Sequence, residues 1–332
     1  MQPSARNVGP LRRRIKRPIL SASLQKESHS KNDRADVLAV KLGRQNPLAA
    51  KFKKDVLFDG FDPKASYQMV PVGATREMAV VTDAEECTVV IDPPNVARME
   101  KFVFPKPLLE VPREFLAKVT PNNTLSFNIF GIKNGNTNLF LLNRQGVATS
   151  VMRISVKKRL QKSFAMARLS DIRHLCPFLP EEVPPMVQRV KTTYLQQANI
   201  ELSQQGGQFE VTVEKNLGNP LILDTPGREN FNAILTATPQ AALLPDFCLY
   251  LSWDLRSNIF ASIVGQNFGF ACFCEQQNDP FDNAITVAHE LGHALGLAHT
   301  GAKTMMAGDG NARSSQLQQF EIDTINNNDD AS

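Results

Sequence analysis

The sequence predicts an α+β protein in which a small all-β sandwich precedes a mixed domain centred on one buried helix. Three observations predict it. Short alternating segments separated by turn residues fill roughly residues 65 to 157. From Met186 onward a helix-period stretch, several strands and a second helical run follow one another. Residues 289 to 299 read HELGHALGLAH and hold three of the five histidines in the 332-residue chain. The expected divisions are a basic tail at 1–60, the sandwich at 61–157 and the mixed domain at 158–332.

Charge separates the first of these. Residues 1 to 55 hold fourteen Lys or Arg against four Asp or Glu, a net +10, while the whole chain is +4 and the remainder therefore −6. The tail has no sustained hydrophobic period and is expected to be largely disordered. It is either a plain solvated arm or an address: a delivery or packaging signal, an organelle transit peptide or an anchor to acidic surfaces. Loose nucleic-acid contact ranks last, because no aromatic residues interleave the charges and no nucleic-acid module is recognisable. Only Pro18 to Leu20 follow the RRRIKR run, too short for the apolar core of a secretory signal. No run of 18 apolar residues exists, so no transmembrane helix is expected. The five cysteines are odd in number, show no disulfide framework and read as buried free thiols.

In the sandwich, strands are expected at Met78–Val81, Thr88–Ile91, Leu125–Phe130, Thr137–Leu142 and Ala148–Val156. Asp92-Pro93-Pro94, Pro121-Asn122-Asn123, Asn134-Gly135-Asn136 and Gln145-Gly146 separate them, and the spacing points to an antiparallel arrangement. Lys157 to Lys162 reads as a basic linker.

Beyond it, Met186, Val187, Val190, Tyr194, Leu195 and Ala198 recur with helical period, predicting an amphipathic helix over Met186–Ile200. Gly206-Gly207 is expected to end that pattern, Phe209–Val213 to form a strand, and Asn216–Asn232 to be loop. Phe247–Leu255 reads as a buried strand and Ile263–Phe273 as one or two more. The motif helix is expected to start at Asp282 or Asn283 and to break at Gly296, with apolar residues on most sides marking it as central. Ser314 or Ser315 is expected to cap a last helix through Ile325, leaving Asn326–Ser332 frayed.

The motif carries chemistry. Four residues apart on a helix, His289 and His293 share a face about 6 Å apart along the axis, so both imidazoles can bind one Zn²⁺. Glu290 projects beside them, where it can act on water at the metal. Gly296 permits a sharp turn that returns His299 as a third ligand. Three protein ligands leave the open position that a catalytic zinc requires.

The H-E-x-x-H-x-x-G-x-x-H pattern resembles the metzincin clan of zinc metalloproteases. The resemblance covers roughly residues 165 to 330. It implies a zincin catalytic domain, peptide-bond hydrolysis with Glu290 as general base, and a methionine turn beneath the ligands, for which Met306 fits better than Met305. It also implies an extended substrate lying antiparallel along an edge strand between Ala261 and Phe270. Gly308 stands where some relatives carry a tyrosine ligand, so none is expected here, and Thr300 assigns no subfamily. Gly135-Asn136-Thr137-Asn138-Leu139 and the strand Val147–Val156 are similar to the immunoglobulin-like domains appended to bacterial surface and secreted proteins.

The expected function is therefore a zinc endopeptidase acting on protein or peptide. Its rivals are a zinc hydrolase of a non-peptide amide or ester and a catalytically silent binding or delivery protein. An active protease implies export or injection by a non-classical route, with secretion machinery that reads the basic tail as the expected partner; a cytoplasmic or organellar location is the alternative.

Overall fold

A computed structural model of the chain describes residues 51–53, 66–82, 86–102, 115–118, 123–142, 148–260, 263–301, 304–308 and 313–330. Nearly all of the basic tail, and with it every reading of its role, lies outside the described residues. Its end is an exception, since Lys51–Lys53 forms a strand. Residues 47–332 make up one compact unit, of mostly β content and with four α-helices among its described residues. Among the described residues no helix is long and apolar enough to cross a membrane.

Nine strands build the first half: β1 (Lys51–Lys53), β2 (Ser66–Pro71), β3 (Thr75–Thr82), β4 (Glu86–Asp92), β5 (Ala97–Phe102), β6 (Phe115–Lys118), β7 (Asn123–Gly131), β8 (Gly135–Leu142) and β9 (Ala148–Lys157). They pair as one sheet in the order β1-β3-β7-β5 and another in the order β2-β9-β8-β4-β6. The inward residues of both, among them Met78, Val89, Phe127, Ile129, Leu139 and Ile154, form one apolar core. All five expected strands are present. The expected antiparallel arrangement needs one correction: β2 runs parallel to β9. Buried from Tyr67 to Pro71, β2 has no alternating exposure to betray it in sequence.

Only two residues separate β9 from the next strand. The basic stretch Lys157–Lys162 is therefore not a linker, because β10 (Leu160–Asp171) begins within it. After β10 come α1 (Val183–Ala198), β11 (Ile200–Val213), β12 (Leu221–Ile222), α2 (Glu229–Ala237), β13 (Phe247–Ser252), β14 (Leu255–Arg256), β15 (Gly265–Phe268), β16 (Ala271–Glu275), α3 (Pro280–Ala294) and α4 (Gln319–Asp330).

A five-stranded sheet in the order β11-β10-β13-β16-β15 organises this half. The first four strands run parallel to their neighbours and β15 runs antiparallel to β16 at the edge. Alternate residues of the central strands feed two cores. Phe164, Leu249 and Cys272 face α1, α3 and α4, while Ala165, Tyr250 and Phe273 face α2. Sheets covered on both faces carry near-continuous apolar strands, which explains why β10 and β13 lack a period-two signal.

Several boundaries differ from expectation for local reasons. Gly206 and Gly207, at φ +73° and +71°, do not end a pattern but lie within β11, where the pairing with β10 shifts register. The expected loop at Asn216–Asn232 contains β12 and the start of α2. α1 begins at Val183, ahead of Met186, and Leu195 lies on its exposed side. The carboxylate of Asp279, not Asp282 or Asn283, caps α3 by accepting from the Phe281 amide. α4 starts at Gln319, beyond Ser314 and Ser315, and continues past Asn326. That residue is fully buried and its side-chain amide donates to Ile322 O.

Candidate metal centre

α3 carries the site because the sequence makes it the most enclosed helix of the second half. Every residue from Asn283 to Gly292 is buried, and the helix packs on β16, β15 and α1. His289 and His293 project from one face. The helix ends at Leu295, and Gly296 turns the chain at φ +93°, a conformation that favours glycine. The turn returns His299 to the other two.

The three Nε2 atoms form a near-equilateral triangle. His289 and His293 are 3.1 Å apart, His289 and His299 3.1 Å, and His293 and His299 3.0 Å. His289 Nδ1 donates to Met305 O at 2.7 Å, and His293 Nδ1 donates to Leu297 O at 2.8 Å. A carbonyl can only accept, so these rings carry their protons on Nδ1 and turn bare Nε2 lone pairs toward each other. Two lone pairs at that distance repel unless a cation lies between them.

Burial lowers the pKa of all three imidazoles, and the nearby Arg313 cation adds to the effect; His289 falls to about 2. They are neutral near pH 7, the form that ligates metal. Tetrahedral zinc at Zn–N distances of about 2.0–2.1 Å spaces its nitrogens by about 3.3 Å, close to the observed triangle. The donor set therefore fits a zinc ion. His174, by contrast, bonds Asp171 and stacks on Trp253, a structural role.

The loop after His299 supports the triangle from beneath. Met305 and Met306 are both fully buried. Gly292 of α3 packs so closely on Met306 that a Cβ there would fall 2.5 Å from its sulfur. Met306 O accepts from the Thr300 amide, while Met305 supplies the carbonyl that orients His289. Both methionines of the pair are thus engaged, through different atoms. The Thr304 hydroxyl contacts that of Thr300 at 2.8 Å and donates to the carboxylate of the buried Glu321 on α4 at 3.2 Å. From the opposite side, the Tyr194 hydroxyl of α1 donates to Ala288 O at 2.6 Å.

Glu290 lies beside the triangle, its Oε1 3.9 Å from His289 Nε2. Burial pushes its carboxyl up to about 8, with Arg313 opposing the rise. Its backbone carbonyl accepts from the Asn267 side-chain amide, which ties the helix to β15. Its side chain rests on Gly265, where a Cβ would approach its Cδ to 2.7 Å. A strand glycine can mark a bulge or a close approach, and at Gly265 the close approach is the reason.

A cleft of about 990 Å³ runs along this face between β15 and the loop beyond the three histidines. Gly265, Gln266, Asn267, Glu290, His293 and His299 line it. β15 pairs with β16 on one side only, and its other backbone edge has no strand partner among the described residues. Sequence reasoning located the three histidines, Glu290, the methionine pair and the edge strand. It missed Gly265, Asn267, Tyr194 as an anchor, and Arg313.

No protein-family model and no curated protein matches the chain. Among solved structures it is similar to domains 4 and 5 of the S-layer protein SbsC, at 12% identity over 34% of this chain and 54% of that one, TM-score 0.21. The chain thus spans about half the length of that structure. The fibronectin(III)-like modules of Clostridium thermocellum CbhA are 9% identical over 28% of this chain and 89% of theirs, TM-score 0.18. The sulfur carrier protein SoxY from Chlorobium limicola is 15% identical over 38% of this chain and 98% of its own, TM-score 0.18.

Proposed function

We propose that the chain is a zinc-dependent endopeptidase of metzincin type that hydrolyses peptide bonds in protein substrates. The observation that carries the proposal is the triangle of neutral imidazoles at 3.0–3.1 Å with the Glu290 carboxyl beside it in an open cleft. His289, His293 and His299 would hold the ion. When bound, zinc makes its water more acidic and polarises a carbonyl oxygen.

The protein's own residues do the rest. The free edge of β15 offers backbone donors and acceptors to an extended peptide, which lies antiparallel to it as an added strand. Glu290 Oε1 accepts the proton of the attacking water and delivers it to the nitrogen of the leaving amine. A basicity raised by burial toward neutrality suits a group that must both take and give a proton. Gly265 clears the space in which that carboxyl stands.

Treatment with a zinc chelator is expected to abolish cleavage of casein or of a randomised peptide library, and added zinc to restore it. Cleavage that survives removal of all metal would sink the proposal. One zinc per chain with hydrolysis only of small esters or non-peptide amides favours the first rival, and zinc with no hydrolysis favours a silent binding protein.

Gly265→Ala tests the positioning of the base. The displaced atoms run from Cγ to the carboxylate of the buried Glu290 side chain, so the expected loss of stability is about 1–3 kcal/mol. A shift of about 1 Å in a catalytic group costs on the order of 10²-fold in rate. The variant is therefore expected to bind zinc normally while kcat falls by about that factor; an unchanged kcat would show that Glu290 needs no such clearance.

A further inference from the structure

His299 is held differently from its two partners. His289 and His293 each donate an Nδ1 proton to a backbone carbonyl, whereas His299 Nδ1 has no hydrogen-bond partner among the described residues. Close packing does not fix the ring either. A cavity of about 430 Å³ adjoins it, lined by His299, Thr300, Gln318, Glu321 and Thr324 among others. The position of the ring therefore depends on the backbone that carries it. There the Thr300 amide donates to Met306 O at 2.8 Å, and the Thr300 and Thr304 hydroxyl oxygens lie 2.8 Å apart.

Glu321 stands at the end of this series of contacts. It is the third residue of α4 and fully buried, and its Oε1 accepts from the Thr304 hydroxyl at 3.2 Å. A hydroxyl has one proton, so the Thr300 hydroxyl supplies the one between the two threonines. Glu321 Oε2 accepts from the Gln318 amide at 2.6 Å, the backward half of a helix cap. A cap needs one oxygen and no burial, and burying a carboxylate is costly. The second oxygen reaches Thr304, whose neighbour Met305 supplies the carbonyl that orients His289. One acid thus braces the backbone beside two corners of the triangle.

We infer that Glu321 is a positioning residue that sets the metal affinity of the triangle. Through Thr304 and Thr300 it holds His299 and the Met305 carbonyl in ligating register, without touching metal or substrate. The inference rests on the metal half of the endopeptidase reading and deepens it. Loss of such an outer partner weakens metal binding by about 10–100-fold. Glutamine at the same position can keep the network intact. Its oxygen accepts from the Gln318 amide and its amide donates to Thr304, which then turns its own proton to Thr300.

The test reads metal binding on the full chain, without recourse to activity. The zinc Kd is measured by competition with a chelator of known affinity, and the visible absorption of the Co²⁺-loaded chain reports ligand geometry. Both are recorded well below the melting temperature of each metal-free variant. Thr304→Val cuts the link between Glu321 and Thr300, and is expected to raise the zinc Kd by at least about tenfold and to alter the Co²⁺ bands. Glu321→Gln should stay within about threefold of the parent. Asn326→Ala is the structural control, since Asn326 is buried on the same helix and bonds Ile322 O and Ala198 O. It should lower the melting temperature while changing the zinc Kd less than about twofold. Should Glu321→Ala fail to fold, Thr304→Val and Glu321→Gln still decide the matter. A zinc Kd and Co²⁺ spectrum unchanged in Thr304→Val, a loss in Asn326→Ala as large as in Thr304→Val, or no rescue by glutamine each overturns the role of Glu321 and leaves the zinc reading standing. A parent chain that binds neither Zn²⁺ nor Co²⁺ overturns both.

Discussion

Glu290→Ala is expected to retain one zinc per chain and to lose nearly all hydrolysis, a fall in kcat/KM of about 10²–10⁴-fold. The two halves of that expectation come from different atoms. The three Nε2 atoms that would hold zinc are oriented by Met305 O and Leu297 O and by the Gly296 turn. None of these involves the Glu290 side chain. The helix stays anchored too, because Asn267 and Tyr194 grip backbone carbonyls, of Glu290 and Ala288 respectively. Losing the carboxylate therefore removes the proton carrier and leaves the ligand frame. His293→Ala is the converse control, since it opens one corner of the triangle and should lower metal content itself. Metal analysis and a peptide digest on the same samples separate the two outcomes. A Glu290→Ala chain that cleaves at the full rate would remove Glu290 from the mechanism.

The largest expected effect on stability lies far from the histidine triangle. The Lys157 side chain at the end of β9 is 3% exposed and its ammonium lies 2.6 Å from the Asp323 carboxylate of α4. Asn136 of β8 donates to the other oxygen of Asp323 at 2.9 Å and in turn accepts from Ser155 at 2.6 Å. Removing the acid leaves a cation with almost no access to water, which costs about 3–5 kcal/mol for a buried pair broken on one side. Asp323→Ala is therefore expected to lower Tm by on the order of 10 °C. Lys157→Met should cost less, because Asp323 is 22% exposed and can be hydrated. The double variant Lys157→Met/Asp323→Leu should recover most of the loss. A melt of Asp323→Ala indistinguishable from the parent would show that the pair contributes nothing.

What could be read from the sequence follows from how local each constraint is. Helix pitch and one turn bring His289, His293 and His299 together, all within eleven residues, so the pattern is visible in the chain itself. The half-exposed strands β7 and β8 show the alternation that a one-sided core imposes. β10 and β2 do not, because neighbours cover both faces, and neighbours are a property of the fold. α2 escaped because it is nine residues long and follows Arg228 at φ +48° with no side-chain cap to announce it. Gly265 and Arg313 reach the site only through tertiary approach. A glycine 25 residues before a glutamate, or an arginine seven residues after a methionine, has no spacing that chemistry demands.

The two halves also share more than a salt bridge. Tyr67 and Met69 of β2 are fully buried, and they belong to the same core as α1, α3 and the methionine pair, while their neighbour Val70 belongs to the core of the first half. One strand thus serves as a wall common to both interiors. Cutting the chain at Lys158 and discarding what precedes it would leave a hole where an aromatic ring and a methionine had been. Removal of the N-terminal half is therefore expected to disrupt the core around α1 and α3. Calorimetry of residues 47–332 should record a single cooperative transition, and a fragment lacking the β-sandwich should be unfolded.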